Sequence, residues 1–271
     1  MSLFIARLDD RALVSITGPD AAEWLQGLVT QTVTGMSPGE ARSAALLTPQ
    51  GRVLFDLLVC QGPEGLVLDV DAAGRDDLVS RLSLYRLRAQ VVVATAPGQV
   101  FAIWGEGDPP AHAFGDPRLA ALGWRLHGTD NALPTNASVS DYARHRRALG
   151  VGEAASDGFA DKAYATEANL DLLDGVDFRK GCFVGQETTS RMKRRGGVRS
   201  RIVPFRGEAE PGDELLNGQL RAGEVLAFAD GVGIALVRLD RATGPLTAGS
   251  AEARLAWPDW MPQSAPETGH S

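Results

Sequence analysis

Apolar and polar residues alternate in short runs through the first half of the chain, at the period of two that half-buried strands require. On this basis Ala12–Thr17, Ser43–Thr48, Arg52–Cys60, Leu66–Val70, Val91–Ala94, Val100–Trp104 and Gly123–Leu126 are predicted strands. Between them the period lengthens. Gly18-Pro19 opens a helix with proline at its first position, where a missing N–H costs nothing, and Trp24, Leu25 and Leu28 recur on the core-facing side. Asp76–Ala89 reads as a helix with acids in its first turn and arginines towards its end, as the helix dipole favours. Ser140–Leu149 is a third, with Ser140 as its cap and Gly150 at its end. Gly105–Pro117 and Gly152–Lys162 show no period and read as irregular.

From Arg201 onward helical spacing disappears. Ile202–Phe205, Glu214–Leu216, Glu224–Phe228, Gly233–Val237 and Glu252–Trp257 are short β-like runs separated by turn residues, and Asp230-Gly231 is a hairpin turn signal. They predict a small antiparallel barrel. The fold class is therefore α+β. Mixed sheets and helices occupy 1–200, a β-barrel occupies 201–260, and 261–271 has the composition of a disordered tail.

One strand already carries candidate chemistry. Alternation along Arg52–Cys60 puts Val53, Phe55, Leu57 and Val59 on one face and Leu54, Asp56, Leu58 and Cys60 on the other. Asp56 is thus an acid on a largely apolar face. Burying an unpartnered carboxylate is costly, so Asp56 should be paired, raised in pKa or aimed into a cavity.

Composition narrows the class. With 44% hydrophobic and 23% charged residues among 271, the chain reads as an ordinary soluble globular protein with a good core. No apolar run approaches the roughly 20 residues of a membrane helix, so no membrane partner is expected. Met1–Asp10 meets acids too early for a signal peptide, and two distant cysteines give no disulfide framework, so a cytoplasmic protein is expected. A net charge of −7 argues against bulk nucleic-acid binding, though not against one basic patch. There is no Walker A pattern, no Gly-x-Gly-x-x-Gly, no paired Cys-x-x-Cys and no His-Glu-x-x-His, and no metal site is expected from this chain alone.

Charge inverts in one stretch. Eight Lys or Arg fall between Arg179 and Arg201 against the single acid Glu187, an arrangement that tends to face anions. The stretch opens with Lys180-Gly-Cys-Phe-Val-Gly-Gln-Glu187, where glycines on both sides of Cys182 let the backbone turn sharply and approach a ligand. Lys180 beside the thiol would favour the thiolate, the form that acts as nucleophile or metal ligand. The plainer reading is a tight turn with a small buried residue, followed by a solvated basic face. The residues alone leave both open.

Lys180–Glu187, followed by Arg191 and Arg195-Gly196, resembles the signature of the YgfZ family of folate-binding proteins. That family is related to the glycine-cleavage T-protein, an aminomethyltransferase, and includes mitochondrial iron–sulfur assembly factors. Further stretches match in the same order: Gly18-Pro-Asp-Ala21 with Trp24-Leu-Gln-Gly27, Leu47-Thr-Pro-Gln-Gly-Arg52, Tyr85-Arg-Leu-Arg88, Leu122-Gly-Trp-Arg125 and Glu167-Ala-Asn-Leu-Asp171.

The resemblance implies a T-protein-like domain that holds tetrahydrofolate, or another reduced folate, ahead of the barrel. It implies Cys182, Lys180 and Asp56 as the chemical groups. Glu167, Asn169, Gly181, Gly185, Gln186, Glu187, Arg191 and Arg88 would surround the cofactor. A carboxylate such as Glu167 suits the amino-pyrimidine edge of a pterin, which offers two parallel donors. Where T-proteins carry adjacent acids this chain keeps only Asp56, with Phe55 in the other place. The implied function is an accessory role in assembly or repair of iron–sulfur enzymes, with assembly proteins or client enzymes as partners. Two alternatives stand beside it. One is a folate-dependent aminomethyl transferase using Asp56. The other is a tRNA-modification factor binding tRNA through the basic run, although few aromatics accompany that run for bases to stack on.

Overall fold

The computed structural model describes residues 2–128, 133–194 and 198–262. Arg195-Gly196 and nearly all of the tail expected over 261–271 lie outside the described residues. The chain forms two compact units. The first takes Met1–Leu47, Leu54–Tyr142 and Leu173–Val184, and the second takes Thr48–Val53, Ala143–Leu172 and Gly185–Ser271.

In the first unit β1 (Leu3–Arg7) and β2 (Arg11–Thr17) lead to helix α1 (Ala21–Gln26). Then come β3 (Ala41–Leu47), β4 (Val53–Gln61), β5 (Leu66–Asp71), α2 (Arg75–Tyr85), β6 (Val92–Ala96), β7 (Gln99–Gly105), β8 (Phe114–Gly115) and β9 (Trp124–Gly128). They make one sheet in the order β3-β4-β5-β2-β6 and another in the order β1-β7-β9-β8. Alternation decides what each face buries. Val14 and Ile16 of β2, Leu57 and Val59 of β4, and Leu68 and Val70 of β5 share one core with Leu25 of α1 and Leu78 and Leu82 of α2. The opposite face, through Leu13, meets Ala6, Val100, Ala102 and Trp104 of the second sheet, so it is buried as well.

Several boundaries differ from the sequence reading for local reasons. The run Leu3-Phe-Ile shows no alternation, yet it pairs with β7 as β1 and leaves Phe4 stacked on Trp104 at 5.5 Å. Helix α1 starts at Ala21, not at Pro19. Asp20 lends its carboxylate to the Gln90 N–H at 2.7 Å instead of capping, and Gly18 sits at φ +110°, where a Cβ would strike the Gln90 carbonyl. Helix α2 stops at Tyr85 because Leu87 adopts φ +44°, so Arg86 and Arg88 stand beyond it.

Helix α3 (Val139–Ala148) is capped by Ser138 and not by Ser140. The Ser138 hydroxyl accepts the Asp141 N–H at 3.1 Å, and the Asp141 carboxylate accepts the Ser138 N–H at 2.9 Å, a reciprocal capping box. Gly150 follows at φ +78° and ends the helix as expected.

The second unit adds α4 (Gln186–Arg194), a helix the sequence reading missed. Beyond it β10 (Ser200–Gly207), β11 (Glu214–Asn217), β12 (Leu220–Ala229), β13 (Val232–Arg238), β14 (Leu246–Ala248) and β15 (Ala251–Leu255) close a barrel in the order β10-β13-β12-β11-β14-β15. The five expected strands are present, and the three-residue β14 completes the closure between β11 and β15. Asp230 at φ +50° and Gly231 at φ +75° form the tight turn between β12 and β13, the backbone that an Asp-Gly pair favours. Val203, Phe205, Leu215, Val225, Ala235 and Val237 fill the interior. The α+β class with a C-terminal antiparallel barrel stands.

Candidate functional site

The segment before Cys182 is laced onto the loop that follows α1. Asp177 donates its N–H to the Thr30 carbonyl at 3.0 Å, and its carboxylate accepts the Thr32 hydroxyl at 2.7 Å and the Arg179 N–H at 2.8 Å. Thr30 returns a hydroxyl to the Gly175 carbonyl at 2.6 Å, and Gln31 donates to the Asp174 carbonyl at 2.7 Å. Those bonds aim the Lys180 side chain at the end of α1. Its Nζ donates to the carbonyls of Gln26 and Val29, both at 2.6 Å, and of Gln31 at 2.9 Å. An ammonium has three donors, and all three are used. Partial burial lowers the amine to about 8, with Asp177 pulling the other way.

Three residues further on, Phe183 is buried with its ring 5.5 Å from the Lys180 amine, and Val184 packs on the α1/α2 core. Gly181 and Cys182 lie between these anchors and are exposed. The result is an accessible thiol on a short strap fixed at both ends. Cys60 is the opposite case: it is buried, and burial together with the Asp69 charge pushes its thiol far up.

Asp56 lies beside an arginine, one of the outcomes its strand position called for. Cross-strand register puts Leu58 opposite Asp69 and Leu13 opposite Asp69 from the other side, so Arg11, Asp69 and Asp56 point to the same face. Arg11 lies 3.7 Å from the Asp56 carboxylate and 2.7 Å from that of Asp69. Arg125 of β9 joins at 3.5 Å from Asp69 and 3.4 Å from Asp116, which Arg118 binds at 2.7 Å. Tyr142 accepts from Arg125 at 3.1 Å, and His127 stands 3.6 Å from Asp69. Asp69 and Arg125 are fully buried, and the two arginines hold the Asp69 carboxyl well below the ordinary range despite the cost of burial. Asp56 meets the expectation of a partner, and its side chain keeps 16% of its exposure.

In the second unit the Thr48–Arg52 turn and the Glu167 segment come together. Arg52 forms a β-bridge with Tyr164, stacks its guanidinium 5.6 Å from the Tyr164 ring and donates to the Asp161 carbonyl at 2.9 Å. Glu167 accepts the Tyr164 N–H at 3.0 Å, and burial raises its carboxyl against the pull of that bond and of Arg52. Gly51 at φ +90° lies against the first turn of α4: a Cβ there would come within 3.0 Å of Thr188. Gly185 at φ +81° turns the chain into that helix, and its carbonyl accepts the Thr189 hydroxyl at 3.0 Å.

The expected site residues separate into those with open chemistry and those already committed. Cys182 and Gly181 are exposed on the strap, and Gln186, Glu187 and Arg191 lie along α4. Lys180 gives all three donors to carbonyls, so none remains for a hydrogen bond to the thiol. Asn169 is fully buried at φ +62°, donates to the Ile202 carbonyl at 2.8 Å and accepts from Arg201 at 3.1 Å, so its amide holds backbone. Arg88 is exposed in the turn after α2. Sequence reasoning passed over Arg11, Asp69, Asp116, Arg118 and Arg125. Asp69 carried the same signal that singled out Asp56, an acid within an apolar strand.

Residues 199–263 match the family described as CAF17, C-terminal beta-barrel domain. In structure the chain is similar to the glycine cleavage system aminomethyltransferase T from Bartonella henselae, with a TM-score of 0.77 over 98% of this chain and 88% of that one, at 14% identity. In sequence it is similar to the mitochondrial iron–sulfur cluster assembly factor IBA57 of Mus musculus, 32% identical over 96% of this chain and 86% of the relative. The Homo sapiens protein of the same name is 32% identical over 94% of this chain and 85% of its own. These relatives correct the cytoplasmic expectation, since they are mitochondrial proteins. Two distant cysteines with no disulfide framework do not tell one compartment from another. With a T-protein-like fold, a matching barrel and relatives aligned over nearly its whole length, the chain belongs to the IBA57 family of iron–sulfur cluster assembly factors.

Proposed function

We propose that this protein is a tetrahydrofolate-binding accessory factor in the assembly or repair of iron–sulfur clusters, and that Cys182 is the group it presents to them. The observation that carries this reading is the strap: an exposed thiol between the part-buried Lys180 and the buried Phe183, in a chain whose other thiol is buried and held protonated. Among the described residues no group of three His, Cys, Asp or Glu side chains converges on a metal position. A cluster touching Cys182 would therefore take its remaining ligands from another protein, and the encounter would be transient.

Folate binding rests on carboxylate chemistry. A reduced folate carries one-carbon units, and its pterin presents paired donors to a carboxylate. Glu167 offers such a carboxyl group, partly buried with one oxygen on the Tyr164 N–H; burial favours its protonated form, which paired donors from a pterin would have to reverse. Asp56, in the first unit, is the acid tested separately, a carboxylate beside Arg11. Asn169 does not fit, because its amide is committed to Ile202 and Arg201.

The test is a calorimetric titration with tetrahydrofolate on wild type, Cys182→Ser, Glu167→Gln and Asp56→Asn, alongside iron–sulfur enzyme activity in cells complemented with each. Folate affinity unchanged in C182S but reduced about tenfold in E167Q, with cluster-enzyme activity lost in C182S, is the expected pattern. Full complementation by C182S removes the thiol from the function, and no heat of binding from wild type removes folate. Turnover of an aminomethyl donor with tetrahydrofolate would move the protein to the transferase class instead.

A further inference from the structure

The turn after α2 gives large apolar side chains to solvent. Leu84 is 76% exposed, Tyr85 43% and Leu87 89%, and Val92 at the start of β6 is 57% exposed. Single exposed hydrophobes are ordinary, but four fall within the nine residues from Leu84 to Val92, a concentration that calls for an explanation. Leu87 sits at φ +44°, just past the helix C-cap, where glycine or asparagine is usual and a leucine is strained.

Two further features say what would cover these side chains. Strand β6 ends its sheet, with β2 on one side, and its sequence Val-Val-Ala-Thr-Ala has neither the charges nor the proline that protect an open edge. Arg86 and Arg88 are exposed in the same turn with no carboxylate in salt-bridge range among the described residues, whereas Arg75 and Arg81 of α2 are paired with Asp76 and Asp77.

We propose that this turn and the β6 edge form a docking surface for an extended acidic and apolar segment of a partner protein. The segment adds to β6 as a further strand, sets apolar side chains against Leu84, Leu87 and Val92, and brings carboxylates to Arg86 and Arg88. A second copy of the chain is the poorer occupant, because a two-fold contact would turn these arginines towards their own copies. An anionic membrane is also poorer, since two free arginines are a weak electrostatic anchor and lipid makes no use of an open strand edge.

A random twelve-residue display library is selected on the full-length protein and counter-selected on Leu87→Asn. Asparagine tolerates the positive φ, so this variant removes the apolar side chain without straining the turn. Enriched peptides are then labelled and titrated by fluorescence anisotropy against wild type, L87N and Arg86→Glu, with and without backbone N-methylation. Expected are sequences alternating acidic with apolar residues that bind at least tenfold more weakly to either variant and are released by N-methylation. Four results overturn the proposal: peptides without an acidic bias, affinities indifferent to both variants, a wild-type dimer in sedimentation that L87N dissolves, or phosphatidylglycerol vesicles bound where peptides are not.

Discussion

Two places in the first unit solve the same problem, a charge withdrawn from water, in opposite ways. The Lys180 ammonium is met by three neutral backbone carbonyls at the end of α1. The Asp69 carboxylate is met by opposite charges, in a cluster where Arg11, Arg118 and Arg125 balance Asp56, Asp69 and Asp116. Carbonyl dipoles fix a position without asking for a counter-ion, so the strap beside Lys180 is held by geometry and leaves its thiol uncommitted. Ion pairs in a dry interior hold only while charge stays balanced. The cluster is therefore a sensitive piece of the fold, and Asp56 is the member through which it reaches the surface.

Breaking that balance should have the largest effect. Arg125→Met leaves Asp69 and Asp116 buried with one counter-charge fewer, and should cost about 3–5 kcal/mol in urea unfolding. The pH dependence carries a sign. The Asp69 carboxyl is held below its ordinary value in the folded state, so its stabilisation is complete above the unfolded pKa and is lost as pH falls below about 4. In R125M this acid-side loss should shrink, because Asp69 is then less depressed. An R125M protein as stable as wild type would mean that the cluster contributes nothing net.

Lys180→Met should cost less, about 2–3 kcal/mol, from three part-buried carbonyls left without donors. Lys180→Arg should not rescue it, since a planar guanidinium cannot converge on three carbonyls as an ammonium does. With the strap loosened, Cys182 should react several-fold faster with an aromatic disulfide reagent while Cys60 stays protected until unfolding. Unchanged stability with lost folate affinity would instead give Lys180 to the ligand.

The same contrast explains what the sequence made legible. Strands with one apolar face announce themselves at period two, which is why β2, β4, β5, β7 and the barrel were visible while β1, apolar on successive residues, was not. Helix α4 was hidden because Gln186–Arg194 is polar nearly all round and Thr189 is its one buried residue, so a real helix looked like a solvated charge run. The glycines around Cys182 announced a turn, and the structure adds that its thiol is exposed. The fate of Lys180 was not, because its three acceptors come from residues 26–31, far away in the chain. Asp69 and Arg125 needed the sheet register before either could be read as a partner of Asp56.

The smallest effect is at Glu167, and it sharpens the comparison by its sign. Glu167→Gln keeps an oxygen for the Tyr164 N–H, so stability at neutral pH should change by less than about 1 kcal/mol. Burial raises the Glu167 carboxyl, so the folded state holds its proton more tightly than the unfolded chain. Its contribution therefore falls as pH rises from the unfolded value near 4.3 upward, opposite in direction to that of Asp69. Denaturant midpoints of wild type and E167Q measured from pH 4 to pH 7 should converge or cross in favour of the variant as pH rises. If wild type instead gains on E167Q over that range, Glu167 is stabilised as a carboxylate by charge, and the Arg52 guanidinium and not burial governs it.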